Sequence, residues 1–345
     1  MPRLVFRGYE TEARGQGDTV NVPIPPTTST ADVTPSNVLP APVATTPTTV
    51  PLVIDQWKKN VPFGITDKEM TEINENANYI PDKTASAIEA LARGINANIF
   101  SNYTKVYGAV GTAGTTPFSG DKAGDVSQAK RLLAEQLCPT AGRNLVIDPS
   151  AEANAAINAQ LSDMDKVNRE VHIEGEIGRR HGFDFFMDQD VPYHTAGTSA
   201  GTLAAAAGSV GDTTLACDTG TGTLVVGDII TFAGHDQQYV IDTAVADVSS
   251  GTLSFNPALV AAVADNAAVT VLASHRVNLA FHPNAFAFVS VPMENRENMV
   301  QIVDDVTGIV LRLEQIQEYK QKAWEFDVLY GSACIRPELA VRVLG

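Results

Sequence analysis

PDKTASAIEALARGINANIFSNYTKVY, residues 81–107, is the stretch from which the fold is best predicted. Pro81 suits a first helical turn, and Asp82 would be stabilised by the positive end of the helix dipole. At a 1.5 Å rise per residue, a helix over 81–107 would be about 40 Å long, enough to act as a spine. Its apolar residues recur every three or four positions and would share one helical stripe: Ala85, Ile88, Leu91, Ala92, Ile95, Ile99 and Tyr103.

Composition limits the classes of protein to consider. The chain has 345 residues, 44% of them hydrophobic, which is enough for a large core and two or three domains. Lys and Arg total 24 against 40 Asp and Glu, a formal charge of −16. This balance argues against a protein whose main task is gripping nucleic acid, because phosphate binding needs clustered cations. We expect no membrane span, no signal peptide and three free, mostly buried cysteines in a reducing compartment.

Residues 18–65 contain two strand-like runs around a long segment rich in proline and threonine. In the first run, DTVNVPIP, Val20, Val22 and Ile24 alternate with polar residues or proline, as in a half-buried strand. The segment that follows is nearly free of charge, and its repeated prolines exclude a helix. The second run is PLVIDQWKKNVPFGI. We predict a protruding β-arm, with an interdomain linker as the alternative interpretation.

The middle of the chain predicts further helices and strands. Thr66 and Glu69, in TDKE, have the spacing of a capping box at a helix start. Residues 125–138 predict a helix in which Leu137 belongs to the buried face together with Val126, Ala129, Leu132 and Leu133. Residues 144–148 predict a buried strand, and residues 151–161 a helix capped by Ser150.

Residues 197–275 differ in composition from the rest of the chain. They contain no Lys, Arg or Glu, and seven aspartates. Short runs of β-branched and apolar residues alternate there with glycine-bearing turns: TTLACD, GTLVVGDIITFAG, QQYVID, GTLSFN and AAVTVL. This pattern is typical of a small all-β barrel or sandwich. Because helical sequence precedes it and strand-like sequence follows it, we predict a domain inserted into another domain.

No residue pattern predicts catalysis, a cofactor or a metal site. The glycines of residues 208–227 do not form a GxGxxG turn before a helix, and the histidines show no HExxH spacing. Four aspartates could provide acid–base groups or a cation site, but solvated surface and turn charges are the preferred interpretation: Asp163, Asp165, Asp188 and Asp190. Arg179, Arg180 and His181 form a small basic group that could contact phosphate or the acidic residues of another subunit.

The order of these segments resembles that of the major capsid (coat) proteins of tailed double-stranded-DNA bacteriophages, which have the Hong Kong ninety-seven type fold. VVGDIITFAG (225–234) is similar to the inserted domain of short-tailed Salmonella phage coat proteins, and the YG…RPE run near the C-terminus is the most specific match. The remaining matching stretches are RGYETEARGQGDTVNVPIP (7–25), VIDQWKKNVPFGITDKEM (53–70), IPDKTASAIEALARGINANIF (80–100), AGRNLVIDPSAEANAAI (141–157), IGRRHGFDFFMDQDVP (177–192) and WEFDVLYGSACIRPELAVRV (324–343).

The resemblance implies an α+β fold with a peripheral (P) domain, an axial (A) domain and an extended E-loop. The expected divisions are a short N-terminal segment (1–17), the E-loop arm (18–65), the P-domain (66–125) with its spine helix (81–107), the first part of the A-domain (126–196), the inserted β-domain (197–275), and the closing strands of the A- and P-domains (276–345). The helical N-terminal arm usual in the family is not expected, because the chain begins almost at the E-loop.

The resemblance also implies function. The chain would be a non-enzymatic structural protein that assembles into hexamers and pentamers of an icosahedral virion shell around double-stranded DNA, without sequence-specific DNA contacts. Assembly would take place in the bacterial cytoplasm with a separate scaffolding protein, a portal and a possible decoration protein. Apolar E-loop residues would be buried between subunits: Val33, Val38, Leu39 and Val43. A phage tail component or host-binding adhesin is the alternative.

Overall fold

The computed structural model describes residues 1–9, 19–24, 30, 32–33, 35, 47–73, 79–119, 124–158, 161, 178–304 and 307–345. The helices are α1 (Asp67–Ile73), α2 (Tyr79–Ser101), α3 (Gly124–Glu135) and α4 (Pro149–Ile157), with 3-10 helices at Asn102–Lys105, Pro283–Ala285 and Pro337–Leu339. The strands before the inserted segment are β1 (Thr19–Ile24), β2 (Thr48–Val53), β3 (Gln56–Lys59), β4 (Phe63–Thr66), β5 (Gly108–Val110), β6 (Arg143–Ile147), β7 (Arg179–Arg180), β8 (Phe183–Met187) and β9 (Tyr193–His194).

The later strands fall into two groups. Those of the acidic segment are β10 (Leu203–Ala204), β11 (Thr214–Asp218), β12 (Ile229–Phe232), β13 (Tyr239–Ile241), β14 (Thr252–Asn256) and β15 (Val269–Val271). Those that follow it are β16 (His275–Phe281), β17 (Phe286–Ser290), β18 (Met299–Val303), β19 (Val310–Glu318), β20 (Gln321–Cys334) and β21 (Ala340–Leu344).

Helix α1 begins with the predicted capping box. The Glu69 amide donates to Thr66 Oγ1 at 3.2 Å, and the Thr66 amide donates to the Glu69 carboxylate at 3.0 Å. These bonds satisfy backbone donors that the first helical turn would otherwise leave unpaired. The hydrogen bonds that the Thr66 amide and hydroxyl donate to the Glu69 carboxylate lower the pKa of that carboxyl.

Helix α2 is the predicted spine, but its bounds differ from the prediction. It covers Tyr79–Ser101, and a 3-10 helix replaces its predicted last turns. The Asn102 side-chain amide donates to the carbonyls of Asn98 and Ile99, and the Ser101 hydroxyl donates to Asn98 O at 2.6 Å. Side chains that bond the last carbonyls in this way compete with the helical ladder and end it.

The buried stripe of α2 is narrower than predicted. It consists of Ala87, Leu91, Ile95 and Ile99, with Phe100 beside it. Ala85, Ile88 and Ala92 are exposed, contrary to the prediction. The helix therefore lies against the body along one face only.

Helices α3 and α4 each required one correction. Helix α3 ends at Glu135, so Leu137 lies beyond it with a positive φ of 58° and is exposed rather than buried. Helix α4 is capped by Asp148, whose carboxylate accepts from the Ser150 amide at 3.2 Å, so Ser150 is not the cap. Pro149 then occupies the first turn, where its missing N–H costs nothing.

Strand β20 organises the sheet that we call the long-strand sheet. It spans 14 residues and pairs antiparallel with β17, β19, β3 and β4, while β18 extends the sheet beyond β19. Phe326, Val328 and Tyr330 belong to the main core, which they share with α2. Leu329 and Ala333, on the opposite face, pack with the cluster at the base of the arm. This alternation follows from the two-residue period of a strand.

A second, mixed sheet forms the other half of the body. Its order is β5–β21–β16–β6–β8–β7, and β9 pairs with one end of β16. The β21–β5 and β6–β8 pairs are parallel, while the others are antiparallel. Strands β6 and β21 are buried at every position, as expected of strands covered on both faces.

The acidic segment forms a sheet of its own, which we call the inserted sheet. Its order is β10–β11–β14–β13–β12–β15, and it has a separate core around Phe232, Tyr239 and Phe255. The five runs picked out in the sequence all contain strands. The chain leaves the body after His194 and returns at His275, and these two residues are opposite each other in the β9–β16 ladder.

The base of the arm is a two-stranded ladder. Strands β1 and β2 pair over their full lengths, from Thr19↔Val53 to Ile24↔Thr48. Val20, Val22 and Leu52 are buried against Val289 and Ile335. The backbone of Val53 comes so close to β20 that a Cβ at Gly331 would lie 2.3 Å from Val53 O.

We therefore expect Gly331→Ala to lower the free energy of unfolding by about 1–3 kcal/mol, because the methyl group meets backbone that cannot rotate away. Gly64→Ala is the matched control: its Cβ would have no neighbour closer than 3.8 Å in the same sheet. Urea unfolding followed by tryptophan fluorescence tests both variants, since Trp57 and Trp324 both lie in this sheet. Equal stability of the two variants would contradict the close approach.

Candidate functional site

The arm presents uncharged and apolar side chains beyond its anchored base. Residues 26–47 contain a single charged residue, Asp32. Of the four predicted contact residues, Val33 is 93% exposed, whereas Val38, Leu39 and Val43 lie outside the described residues. An apolar side chain this exposed has a favourable free energy to gain when another surface covers it.

The outer edge of the long-strand sheet is a second apolar surface. Strand β18 pairs with β19 only, so in the described part of the chain its other edge has no strand partner. Val300, Ile302 and Val303 on this strand are 53–56% exposed. An exposed apolar edge strand can pair with another chain, and monomeric proteins usually protect such edges. We refer to Met299–Val303 as the β18 edge.

A cavity of about 640 Å³ lies beside the β18 edge. Met293, Met299 and the 65%-exposed Trp57 supply apolar surface. Its charged lining residues are Lys59, Glu294, Arg296, Arg312, Glu314, Glu325 and Asp327. Flexible methionine side chains beside an aromatic ring can adapt to an apolar segment of another chain.

A buried ion pair fixes the floor of this cavity. Arg312 on β19 is opposite Asp327 on β20, and Arg312 Nε donates to Asp327 Oδ1 at 2.9 Å. Arg312 Nη2 bonds the second carboxylate oxygen, and Trp57 Nε1 donates to that oxygen at 3.0 Å. The hydrogen bonds to Asp327 raise the pKa of Arg312. The pair thus ties the strand that returns from the arm to the hairpin β19–β20.

A second buried network joins the inserted sheet to the body. Tyr103 Oη lies 3.0 Å from His194 Nδ1, and His194 Nε2 lies 2.9 Å from Asp228 Oδ1. Because the carboxylate can only accept, Nε2 carries the proton and Nδ1 accepts from the tyrosine hydroxyl. Asp228 also accepts from the amides of Gly197 and Val225. We call this region the junction.

Arg342 enters the junction from strand β21. It is fully buried, its Nη1 donates to Gly227 O at 2.8 Å, and its guanidinium lies 5.0 Å from the centre of the Tyr103 ring. Its Nε and Nη2 have no hydrogen-bond partner among the described residues. Burial lowers the pKa of Arg342 to about 9, because desolvation penalises the charged form.

His275 completes the junction from strand β16. Its Nδ1 lies 2.8 Å from Ala273 O, so Nδ1 carries the proton and Nε2 is free of it. The ring centre is 5.3 Å from that of His194. Burial, assisted by the positive charge of Arg342, lowers the pKa of His275 to about 4. At the edge of the junction Lys105 pairs with Asp242 at 2.9 Å, and the Ala109 amide donates to Gln238 Oε1.

Asp188, Asp190 and Arg179, which the sequence analysis named as candidate site residues, form hydrogen bonds or ion pairs within the fold. Asp188 accepts from the Asn96 amide at 2.7 and 2.9 Å, and Asp190 accepts from the same group at 3.3 Å. Arg179 lies 3.7 Å from Asp184, so its positive charge has a partner within its own sheet. Asp163 and Asp165 lie outside the described residues. Over the described ranges, no group of three or more His, Cys, Asp or Glu side chains could hold a metal ion.

Sequence reasoning did not identify the residues of the two buried networks. The sequence patterns predicted no special role for Arg312, Asp327 and Arg342, although each belongs to a buried network. A signal was present in VRV and VLRLE, where one arginine interrupts a run of apolar strand residues. A charge in such a run needs a buried partner.

Among the described residues, no helix is long and apolar enough to cross a membrane. No protein-family model matches the sequence, and no curated protein matches it either.

Solved structures do resemble the chain. A chain of Mycobacterium phage Che8 matches with a TM-score of 0.55 and 18% identity, over 99% of this chain and 89% of that one. A chain of the capsid of the cyanophage P-SCSP1u matches with a TM-score of 0.51 and 16% identity, over 95% and 84% respectively. The chain has the phage capsid fold. This α+β fold was the one implied by the resemblance, and the similar structures give no support to the alternative of a tail component or adhesin.

Within the capsid fold, we expect Asp327→Asn to lower the free energy of unfolding by about 3 kcal/mol, because Arg312 then loses a fully charged partner inside the protein. Urea unfolding followed by circular dichroism measures the change. Glu89→Gln is the control, since it removes a carboxylate from an exposed pair with Arg93 and should cost less than about 0.5 kcal/mol. The double variant Arg312→Met, Asp327→Leu should recover most of the lost stability. If Asp327→Asn and Glu89→Gln lowered the free energy of unfolding equally, the stabilising role of the buried ion pair would be contradicted.

Proposed function

We propose that the chain is the major capsid subunit of a tailed bacteriophage and forms the icosahedral shell around its double-stranded DNA. The observation that carries this proposal is the capsid fold combined with an anchored arm in which Val33 is exposed and residues 26–47 contain one charged side chain. Its role is structural and not enzymatic, and its place is the virion. Copies associate into hexamers and pentamers, with assembly in the bacterial cytoplasm.

In this proposal the arm is the principal inter-subunit contact. Each half of residues 25–47, if extended, would span about 35–40 Å, more than the width of a small domain. The arm can therefore reach a neighbouring subunit. Val33, Val38, Leu39 and Val43 become buried there, and the prolines reduce the entropy lost when the arm is ordered.

The receiving surface in the neighbour is the β18 edge and the adjoining cavity. Both the arm and the edge Met299–Val303 are without charge, apart from Asp32 in the arm. Trp57, Met293 and Met299 offer an apolar wall for a segment rich in proline. The unpaired edge of β18 offers backbone partners.

The net charge of −16 suits the inside of a DNA container. A shell that bound phosphate tightly would oppose movement of the DNA during packaging and ejection. We therefore propose that the DNA is enclosed without sequence-specific contact. A separate scaffolding protein, a portal and a decoration protein are further proposed partners.

The proposed domain divisions do not coincide with the sheets, because β3 and β4 of the arm pair with β20, and β5 of the P-domain pairs with β21. The E-loop arm is 18–65, the P-domain begins at 66, the A-domain occupies 126–196 and part of 276–345, and the inserted β-domain is 197–275. The inserted domain has its own core and closes one side of the body, which supports a role in folding or stability.

Deletion of residues 26–47 should leave a soluble subunit that no longer forms closed shells. Electron microscopy of the concentrated protein, alone and with the neighbouring phage gene products, tests both the function and the arm. Shells or capsomer-like rings from the full chain are expected, and small monodisperse particles in both conditions would contradict the proposed function. Normal shells from the deletion variant would contradict the role of the arm alone.

A point variant gives a finer test of the arm. Val33→Asp should leave subunit stability unchanged, because this side chain is exposed, but should reduce the yield of closed shells at least tenfold, because burying an unpaired carboxylate is costly. Val210→Asp is the control: it places the same charge on an exposed valine of the inserted sheet.

Excision of residues 197–275, with a short glycine linker from Ala196 to Arg276, should lower the yield of folded subunit. The excision uncovers Ala109, Leu344 and the buried Arg342, which the inserted sheet covers in the intact chain. Soluble yield and the urea midpoint measure the effect. An unchanged yield and midpoint would contradict the stabilising role.

A further inference from the structure

The junction contains a buried histidine, His275, at the contact between the inserted sheet and the body. We infer that the junction is a pH-sensitive lock: it holds the inserted sheet against the body while His275 is neutral, and it opens when His275 gains a proton. This inference rests on the junction geometry and does not depend on the proposed function.

The charges of the junction are balanced only in one protonation state. Its cation is the buried guanidinium of Arg342, and its anion is the carboxylate of Asp228. In the hydrogen-bond pattern His194 donates to Asp228 and bonds the Tyr103 hydroxyl, while His275 donates to Ala273 O and its Nε2 has no partner among the described residues. One buried cation and one buried anion therefore compensate each other.

A proton on His275 Nε2 has no acceptor in the described part of the junction. Nε2 is buried without a hydrogen-bond partner there, and the Asp228 carboxylate already accepts from His194, Gly197 and Val225. The groups that face His275 are His194 from β9, Arg342 from β21, Asp228 from the turn before β12 and Tyr103 from the 3-10 helix. The new charge would thus add a second cation beside Arg342.

Opening the junction relieves this excess charge by admitting water. The inserted sheet has its own core, so it can separate from the body without unfolding. The contacts that must break are between units: His194 to Asp228, Arg342 to Gly227, Lys105 to Asp242, and Ala109 to Gln238, together with the packing of Ile229 against Ala109 and Leu344. The two units stay connected through the chain at His194 and His275.

The sign and pH window follow from the shift of His275. Its pKa falls from 6.5 in water to about 4 in the closed junction, so the open form binds the proton more tightly. Stability of the closed form is therefore complete above about pH 6.5 and declines as the pH falls towards 4. These values give an increase of roughly 20-fold in the open fraction from pH 7 to pH 5.

Hydrogen exchange of the full chain tests the inference, with rates corrected for the intrinsic effect of pH. The reporter is the peptide that contains the Ala109 amide, because this amide of the body donates to Gln238 of the inserted segment and its bond must break on opening. Its protection should fall roughly 20-fold from pH 7 to pH 5, while peptides of the inserted core around Tyr239 and Phe255 keep theirs. Unchanged junction protection, or simultaneous loss in the inserted core, would overturn the lock.

His275→Asn assigns the effect to its residue. The asparagine amide can still donate to Ala273 O but does not titrate, so the variant should retain its junction protection at pH 5. His181→Asn is the control, because His181 is exposed and its φ of 48° suits asparagine. It should respond to pH as the unaltered chain does. A pH response in His275→Asn equal to that of the unaltered chain would remove His275 from the mechanism, and the wild-type comparison stands even if this variant folds poorly.

Discussion

The backbone ladder of strand β20 is the constraint on which the rest of the structure depends. A strand of 14 residues can offer hydrogen bonds on both edges and side chains on both faces, and β20 uses all of them. Its edges hold β17, β19, β3 and β4, one face supports helix α2, and the other supports the base of the arm. Asn98 on the helix and Ser332 on the strand add a hydrogen bond of 2.6 Å across this contact. Removing the strand would separate helix, arm and hairpin at once, so the position of every candidate assembly surface follows from it.

Apolar packing and buried charged groups stabilise the structure around β20 in different ways. Apolar packing, non-directional and proportional to buried area, forms the three larger clusters of the described chain. Buried charges then fix geometry at two places where packing alone would allow sliding: Arg312 with Asp327 beneath the cavity, and, at the junction, Arg342 with the Gly227 carbonyl and Asp228 with His194. Such groups add little net stability, but their directional bonds select one arrangement of the packed units. Among the described residues, the arm and the β18 edge are two of several places where apolar side chains remain exposed.

Sequence spacing predicted the features that depend on interactions between residues close together in the chain. The buried positions Leu91, Ile95 and Ile99 of α2, the capping box at Thr66 and the five strand-bearing runs of the inserted sheet could be predicted from spacing alone, because each depends on neighbours within a few residues. The predicted helix end at Tyr107 was wrong: the helix ends at Ser101, since the Asn102 side chain competes for its last carbonyls. The meeting of His194 with His275, and of Arg342 with Gly227, could not be predicted. These pairs are far apart in sequence, and only the sheet order brings them together.

The register of His194 opposite His275 has a consequence for how the chain tolerates change. Adjacent strands lie about 5 Å apart, so from the viewpoint of the body the whole inserted sheet occupies the place of a hairpin turn. Closing a loop between two such points costs an entropy that grows only with the logarithm of loop length, and a guest that folds by itself removes even that dependence. The stability of the body therefore depends very little on the number of residues between these two histidines. Any compact domain whose two ends lie close together could replace the inserted sheet, provided that it supplied a carbonyl acceptor for Arg342 and a carboxylate acceptor for His194.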